Sequence, residues 1–260
     1  MIKKSQSTIS SKAPAITAVA LLLVLWELAS VSGLVPRYML PSPVDVFLAF
    51  CRDLPALGSN LAVTLQEAFL GLTLGVLIGF LFAMAMDAWD VLYRAFYPIL
   101  VITQTIPTVA IAPLLVLWFG YEMAPKIVLI VLVTFFPITV GLLDGFKAAD
   151  QDAIGLMRSM GAKNHQIFRY VKFPSAMPSF FSGLRIAAAY SVVGAVISEW
   201  LGGFHGLGVY MTRVKKAFAF DKMFAVIFLI SAVSLLLMGA VDLAERKCMP
   251  YRHLKDAKKK

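Results

Sequence analysis

The chain has 260 residues, 60% of them hydrophobic, and a mean hydropathy of +0.81. A soluble domain is roughly 45–50% apolar, and the excess here is gathered into blocks long enough to cross a bilayer, which excludes an ordinary soluble enzyme. The net charge of +9 comes from Lys and Arg that flank these blocks or collect at the C-terminus; no basic stripe with interleaved aromatics stands apart from them, so an anionic membrane surface fits and nucleic acid does not.

Apolar run length predicts six spans, about Ala13–Val31, Leu61–Met86, Ala95–Phe119, Pro125–Phe146, Phe180–Leu201 and Met223–Leu243. Lys3, Lys4 and Lys12 precede the first. No small-residue cleavage site follows it, so it reads as an uncleaved span rather than a signal peptide. The segment from Gly33 to Asn60 carries Pro36, Pro41 and Pro43, then a short helix over Val44–Leu54 whose Val46, Phe47, Phe50 and Leu54 recur at helical spacing. That helix either lies flat at the interface or packs on the bundle. In the second span Gly71, Gly75 and Gly79 fall on one face, where another helix approaches closely, and Gly141 and Gly145 repeat the spacing in the fourth.

The third span contains Pro98, Pro107 and Pro113, with Thr103, Gln104, Thr105 and Thr108 around the middle proline. Proline frees backbone carbonyls, which inside lipid must be satisfied by protein or by a watered cavity. Two readings stay open: the segment lines a path, or it is a kinked helix whose polar groups hold its neighbours. Glu27, Glu67, Asp144, Arg185, Glu199 and Asp242 all fall near span ends, which predicts interfacial placement rather than a relay through the membrane. With the N-terminus inside, seventeen of the 24 Lys and Arg fall on the inner side, so both termini are expected there. Cys51 and Cys248 then lie on opposite faces and do not pair. His165, His205 and His253 are scattered and offer no metal-ligand grouping. No nucleophile–base set or His-Glu-x-x-His motif marks a catalytic site, and internal inverted repeats of the kind secondary transporters carry are missing.

The inner segment 147–179 is long for a plain connection. From Asp150 it reads as a helix, a break at Gly161, and a second helix stopped by Pro174. Ile154, Met157, Arg158 and Gly161 share a face of the first helix. Ile167, Phe168, Val171 and Phe173 make the second apolar. Such an amphipathic pair buries its apolar face on its own bundle or on a partner. Arg158, Lys163 and Arg169 either pair with acidic groups there or form a solvated basic face.

On these residues the segment resembles the cytoplasmic signature of ABC importer permeases: a Glu-Ala-Ala triplet, three residues, glycine, nine residues, then Ile-x-Leu-Pro. Gly161 takes the glycine place, and Val171, Phe173 and Pro174 match the end conservatively. The triplet falls on Gly155, Leu156 and Met157, so its acidic residue is missing. Leu40-Pro41-Ser42-Pro43, the stretch from Pro178 through Ser191, Ser198-Glu199-Trp200-Leu201-Gly202-Gly203 and Gly206-Leu207-Gly208 are similar to the nitrate, sulfonate and taurine branch. Within it, the segment 158–161 and the segment 187–191 look most like permeases for thiamine pyrimidine precursors, and somewhat like riboflavin permeases.

The resemblance implies an all-α type I (MetI-like) bundle of about six spans in the bacterial plasma membrane. It divides the chain into a cytoplasmic tail 1–12, a permease domain 13–246 with its coupling loop 147–179, and a basic tail 247–260. It implies a homodimer, two ABC ATPase subunits holding ATP and magnesium, an external binding protein and surrounding lipid. This chain has no Gly-x4-Gly-Lys-Ser/Thr loop, so it holds no cofactor by that route and the energy comes from another chain. Coupling to the ATPase is expected from Asp152, Gly155, Leu156, Met157, Arg158, Gly161, Ala162, Lys163, Val171 and Pro174. The translocation path is expected to use Gln104, Thr105, Thr108, Tyr190, Ser191 and Glu199, with Glu199 and Trp200 alternatively forming an interfacial pair.

Overall fold

A computed structural model describes residues 3–250 apart from 34 and 37, with side chains from residue 13 onward. The side chains of Lys3, Lys4 and Lys12, all of Arg37, and the basic tail from residue 251, including His253, lie outside the described residues. The elements are α1 (Lys3–Val31), α2 (Pro43–Arg52), α3 (Leu54–Ala88), α4 (Asp90–Thr103), α5 (Thr108–Phe119), α6 (Met123–Lys147), α7 (Gln151–Ser159), α8 (Asn164–Ile167), a π turn (Phe168–Lys172), α9 (Phe173–Gly202), α10 (Leu207–Lys216) and α11 (Phe220–Cys248). No strand occurs among the described residues. Among the described residues five helices are long and apolar enough to cross a membrane, or six spans if α4 and α5 count as one.

The expected third span is thus two helices and not one continuous helix. α4 and α5 meet at 101° across residues 104–107. Of the three prolines, Pro98 and Pro113 stay inside helices, whereas Pro107 ends one and starts the next. Proline disfavours helical geometry at the residue before it and has no N–H to continue the ladder. The freed carbonyls are partly met locally: Thr103 Oγ1 donates to Leu100 O at 2.7 Å and Thr105 Oγ1 to Ile102 O at 2.8 Å.

The chain forms two compact units. The first comprises residues up to Gly58 together with Tyr210–Leu229. Here Ser42 caps α2, accepting from Asp45 N at 3.1 Å while Asp45 accepts from Ser42 N at 3.3 Å, and Pro43 occupies the first turn, a strong start signal. Val46 and Ala49 are buried but Phe47 is exposed, so α2 packs by one face. α1 is tethered through Trp26, whose indole donates to Pro41 O at 3.0 Å and stacks on Phe228 at 5.7 Å. Only 6% of the apolar window of α1 is buried, against 50% for the span that contains α9.

The second unit comprises Ser59–Val209 and the chain from Ile230. Its centre is the packing of α6 on α9, with α3 also against α6. Small residues set both contacts. A Cβ on Gly71 would meet Ile130 at 2.5 Å and one on Gly79 would meet Ile138 at 3.0 Å, while Gly75 faces Thr134. Partner positions 130, 134 and 138 advance four at a time, matching the glycine spacing, so each residue of α6 sits in a notch of α3. Toward α9, a Cβ on Gly145 would lie 2.5 Å from Ala176 Cα and one on Gly141 2.8 Å from Ser179 O. Ala83, Met86, Leu100, Ile138, Leu142 and Phe146 fill the core between these helices.

Candidate functional site

Three features of the second unit carry chemistry. The first is the loop 147–179. Asp150 caps α7, accepting from Asp152 N at 2.9 Å and Ala153 N at 3.3 Å. α7 ends in a Schellman motif: Ala162 N donates to Met157 O at 2.9 Å, Gly161 N donates to Arg158 O at 3.0 Å, and Gly161 takes φ +80°. Nothing lies within 4 Å of a Cβ placed on Gly161, so the need for glycine there is conformational and not steric crowding. The motif brings Met157 and Ala162 against the buried Ala149, Ile154 and Ile167, with Val171 beside them.

The second helical part does not stop at Pro174, as the sequence suggested. α8 leads into a π turn, where Phe173 N reaches back to Phe168 O, and Pro174 then occupies the first turn of α9. Proline cannot supply the N–H for a bond to Tyr170 O, and one residue of slack accommodates it. Lys172 ties this turn to the end of α3 through Asp87 at 2.8 Å, and Phe168 packs on Phe146 at 5.3 Å. The loop is therefore anchored on one side. On the other it exposes Leu156 at 64%, Met160 at 78% and Tyr170 at 65%, alongside Asp152, Gly155, Arg158, Lys163 and Pro174.

The second feature is a pair of chambers sharing Gln104 and Tyr190. One, of about 540 Å³, is lined by Gln104, Phe136, Asp144, Ser179, Ser182, Tyr190 and the bare backbone at Gly141 and Gly183. The other, of about 580 Å³, opens at the α4–α5 break and is more apolar, with Phe82, Phe96, Phe135, Thr103, Thr108 and Tyr190 on its walls. Gln104, Thr108 and Tyr190 thus come together. Thr105 is exposed at the break and lines neither chamber. Ser191 is fully buried, with its hydroxyl donating to Ala188 O at 2.8 Å.

The third feature contains Glu199, which is 1% exposed and lines neither chamber. Its carboxylate accepts from Thr64 Oγ1 at 2.7 Å and from Gly208 N at 2.6 Å. Thr64 also accepts from Leu207 N at 2.9 Å, and Asn60 Oδ1 accepts from Gly206 N at 3.0 Å. Three successive backbone donors at the start of α10 are thus satisfied by side chains of α3 and α9. A helix start leaves such donors orphaned and carries partial positive charge, so a buried carboxylate belongs there. Gly203, Gly206 and Gly208 are required because a Cβ at each would run into Glu199. Close by in the chain, Glu67 of α3 pairs with Lys126 of α6 at 2.5 Å, both buried. Glu67 and Glu199 therefore find their partners inside the protein, and Glu199 does not reach outward beside Trp200. A sequence signal for this cluster exists in Asn60, Thr64 and Glu67, spaced four and three apart on one face of an apolar helix.

The family model described as "Binding-protein-dependent transport system inner membrane component" matches residues 75–249. The formylaminopyrimidine transport permease protein ThiX of Halalkalibacterium halodurans is 39% identical, over 89% of this chain and 93% of that protein. The riboflavin transport system permease protein RibX of Chloroflexus aurantiacus is 32% identical, over 87% and 85%. Among solved structures, an amino acid ABC transporter aligns with a TM-score of 0.64 at 20% identity, covering 77% of this chain and 98% of that one, which speaks to fold alone.

Proposed function

Since the chain belongs to the family of binding-protein-dependent transport system inner membrane components, and is the permease subunit of an ABC importer, we propose that it forms the translocation path for a thiamine pyrimidine precursor of the hydroxymethyl- or formylaminopyrimidine type. The observation that carries the importer mechanism is the two-sided loop 147–179. Ile154, Met157 and Val171 bind it to its own bundle, while Leu156, Met160 and the basic Arg158 and Lys163 face outward. A face of that kind suits a groove on an ATPase subunit. Closure of two ATPases on ATP would move two such loops together and switch the bundle between outward and inward access. A homodimer, two ATPases and an external binding protein complete this reading, with both termini cytoplasmic.

The path runs past Gln104, Thr108 and Tyr190, with Thr105 at the turn between α4 and α5. Hydrogen-bonding groups are sparse among aromatic walls, which suits a planar heterocycle that must enter and leave without tight binding. The pyrimidine reading rests on the 39% identity to the formylaminopyrimidine permease; the 32% identity to the riboflavin permease makes a flavin the second reading. Proteoliposomes containing this chain, its ATPase and its binding protein test both. ATP-dependent accumulation of a labelled formylaminopyrimidine, competed by hydroxymethylpyrimidine, is the expected result. Preferential uptake of riboflavin or of an aliphatic sulfonate would overturn the substrate. Uptake without ATP would overturn the importer mechanism in favour of a channel or secondary transporter.

A further inference from the structure

The ionisable groups around the two chambers are distributed unequally. Among the described lining residues there is one carboxylate, Asp144, and no Lys or Arg. Two basic side chains lie one helical turn from lining residues, and each has a partner outside the lining. Lys147, one turn along α6, lies 4.0 Å over the Tyr93 ring and donates to its hydroxyl, and its charge also acts on Asp144 without lining either chamber. Arg185, one turn from Ser182 on α9, is held by Asp242 at 2.7 Å and Glu245 at 2.5 Å. The remaining polar lining groups, on Thr103, Gln104, Thr108, Ser179, Ser182 and Tyr190, are uncharged.

We infer that Asp144 makes this chamber a charge filter, which admits uncharged or cationic planar solutes and disfavours anions such as sulfonates and nitrate. This deepens the path reading above and rests on it. A sphere of about 540 Å³ is about 10 Å across, comparable with the Debye length of about 10 Å at 0.1 M salt, so a carboxylate on one wall is felt throughout. No lining cation neutralises an incoming sulfonate. An aminopyrimidine ring, by contrast, presents N–H donors to the carboxylate and to the Gln104 amide, and a face to Phe136 and Tyr190.

The field can be read without knowing the solute. In the full permease–ATPase complex in lipid nanodiscs, the exposed Cys51 and Cys248 are replaced by serine, and Gln104→Cys introduces one thiol at the chamber. Its reaction rates with a cationic trimethylammonium-ethyl and an anionic sulfonatoethyl methanethiosulfonate are each divided by the rate for a free thiol in solution. The expected cation-to-anion ratio is about tenfold, the order for a unit charge at this range and an effective dielectric between protein surface and water. Asp144→Asn should bring it below about twofold, and Asp144→Glu should preserve it. A ratio near one with Asp144 present overturns the filter, and so does a ratio that Asp144→Asn leaves unchanged. The first of these needs no substitution at 144. ATP-driven pyrimidine uptake, measured separately with native Gln104, separates the two readings: loss of uptake with the tenfold ratio intact overturns the substrate reading and upholds the charge preference.

Discussion

At the residue scale, the strongest single commitments are polar groups buried where water cannot replace a lost partner. Removing the Glu199 carboxylate leaves the Gly208 N–H short of a partner and the Thr64 hydroxyl only its longer contact with Asn60 O at 3.2 Å, and an unsatisfied buried group costs about 1–3 kcal/mol. Glu199→Ala should therefore lower the thermal midpoint of the detergent-solubilised protein by several degrees, and Glu199→Gln by clearly less, because the amide oxygen still accepts from Gly208. Equal loss in both would mean that charge, not hydrogen bonding, holds the start of α10. Asp53 offers a pH test in the first unit. Its hydrogen bond from Lys222 holds its carboxyl below the ordinary value of 3.8, with a further contribution from the Tyr210 hydroxyl. Burial, and then Asp53, push the Tyr210 hydroxyl upward. A depressed carboxyl gives stability that is complete above its unfolded value and is lost as pH falls through its native one. Unfolding measured from pH 6 to pH 2 should thus show an acid-side loss below about pH 4 that is smaller in Asp53→Asn.

At the scale of elements, glycine spacing and proline position decide what meets what. Gly145 has no room for a side chain against Ala176, so Gly145→Val should force α6 and α9 apart and reduce the folded protein recovered from membranes. Gly58, with open space around it, should tolerate alanine by the same assay. Gly161 is the opposite case, open in space but fixed in φ. A β-branched residue there pays about 1–2 kcal/mol for left-handed geometry, whereas asparagine tolerates it. Gly161→Val is expected to reduce ATP-dependent uptake severalfold while ATP hydrolysis continues, and Gly161→Asn to restore most of it; normal uptake by Gly161→Val at normal abundance would refute a coupling role for the turn. The glycine rows on α3 and α6 were legible because a period of four on an apolar helix has one physical meaning, a close helix contact. The bend at Pro107 was only half legible. Three prolines in one run say that helix geometry is strained, but not which of them the surrounding packing lets break.

At the scale of the whole molecule, the bias of Lys and Arg toward one side predicts topology, and two native thiols report it. Cys51 in α2 should react with a membrane-impermeant maleimide added to spheroplasts. Cys248 at the end of α11 should react only after the membrane is opened. Labelling of both from outside would place the C-terminus with α2 and overturn the even number of crossings, including the reading of α4 and α5 as one broken span.

The sequence by itself determined membrane insertion, the number of apolar runs, the helix–turn–helix character of the loop 147–179, and the family. Each depends on local composition or on spacing within one helix, and neither needs a partner to be read. Tertiary structure alone decided which polar groups face a chamber and which are consumed inside the protein. Glu199 and Asp144 are both carboxylates near span ends. One accepts from Gly208 N and Thr64 and is buried, and the other, with the charge of Lys147 acting on it from one turn away, stands on a chamber wall. That difference arises in part from Thr64, 135 positions away in the chain, where no spacing rule within a helix can reach. The third-span polar cluster was divided in the same way: the bend at Pro107 turned Gln104 and Thr108 toward Tyr190 and left Thr105 outside.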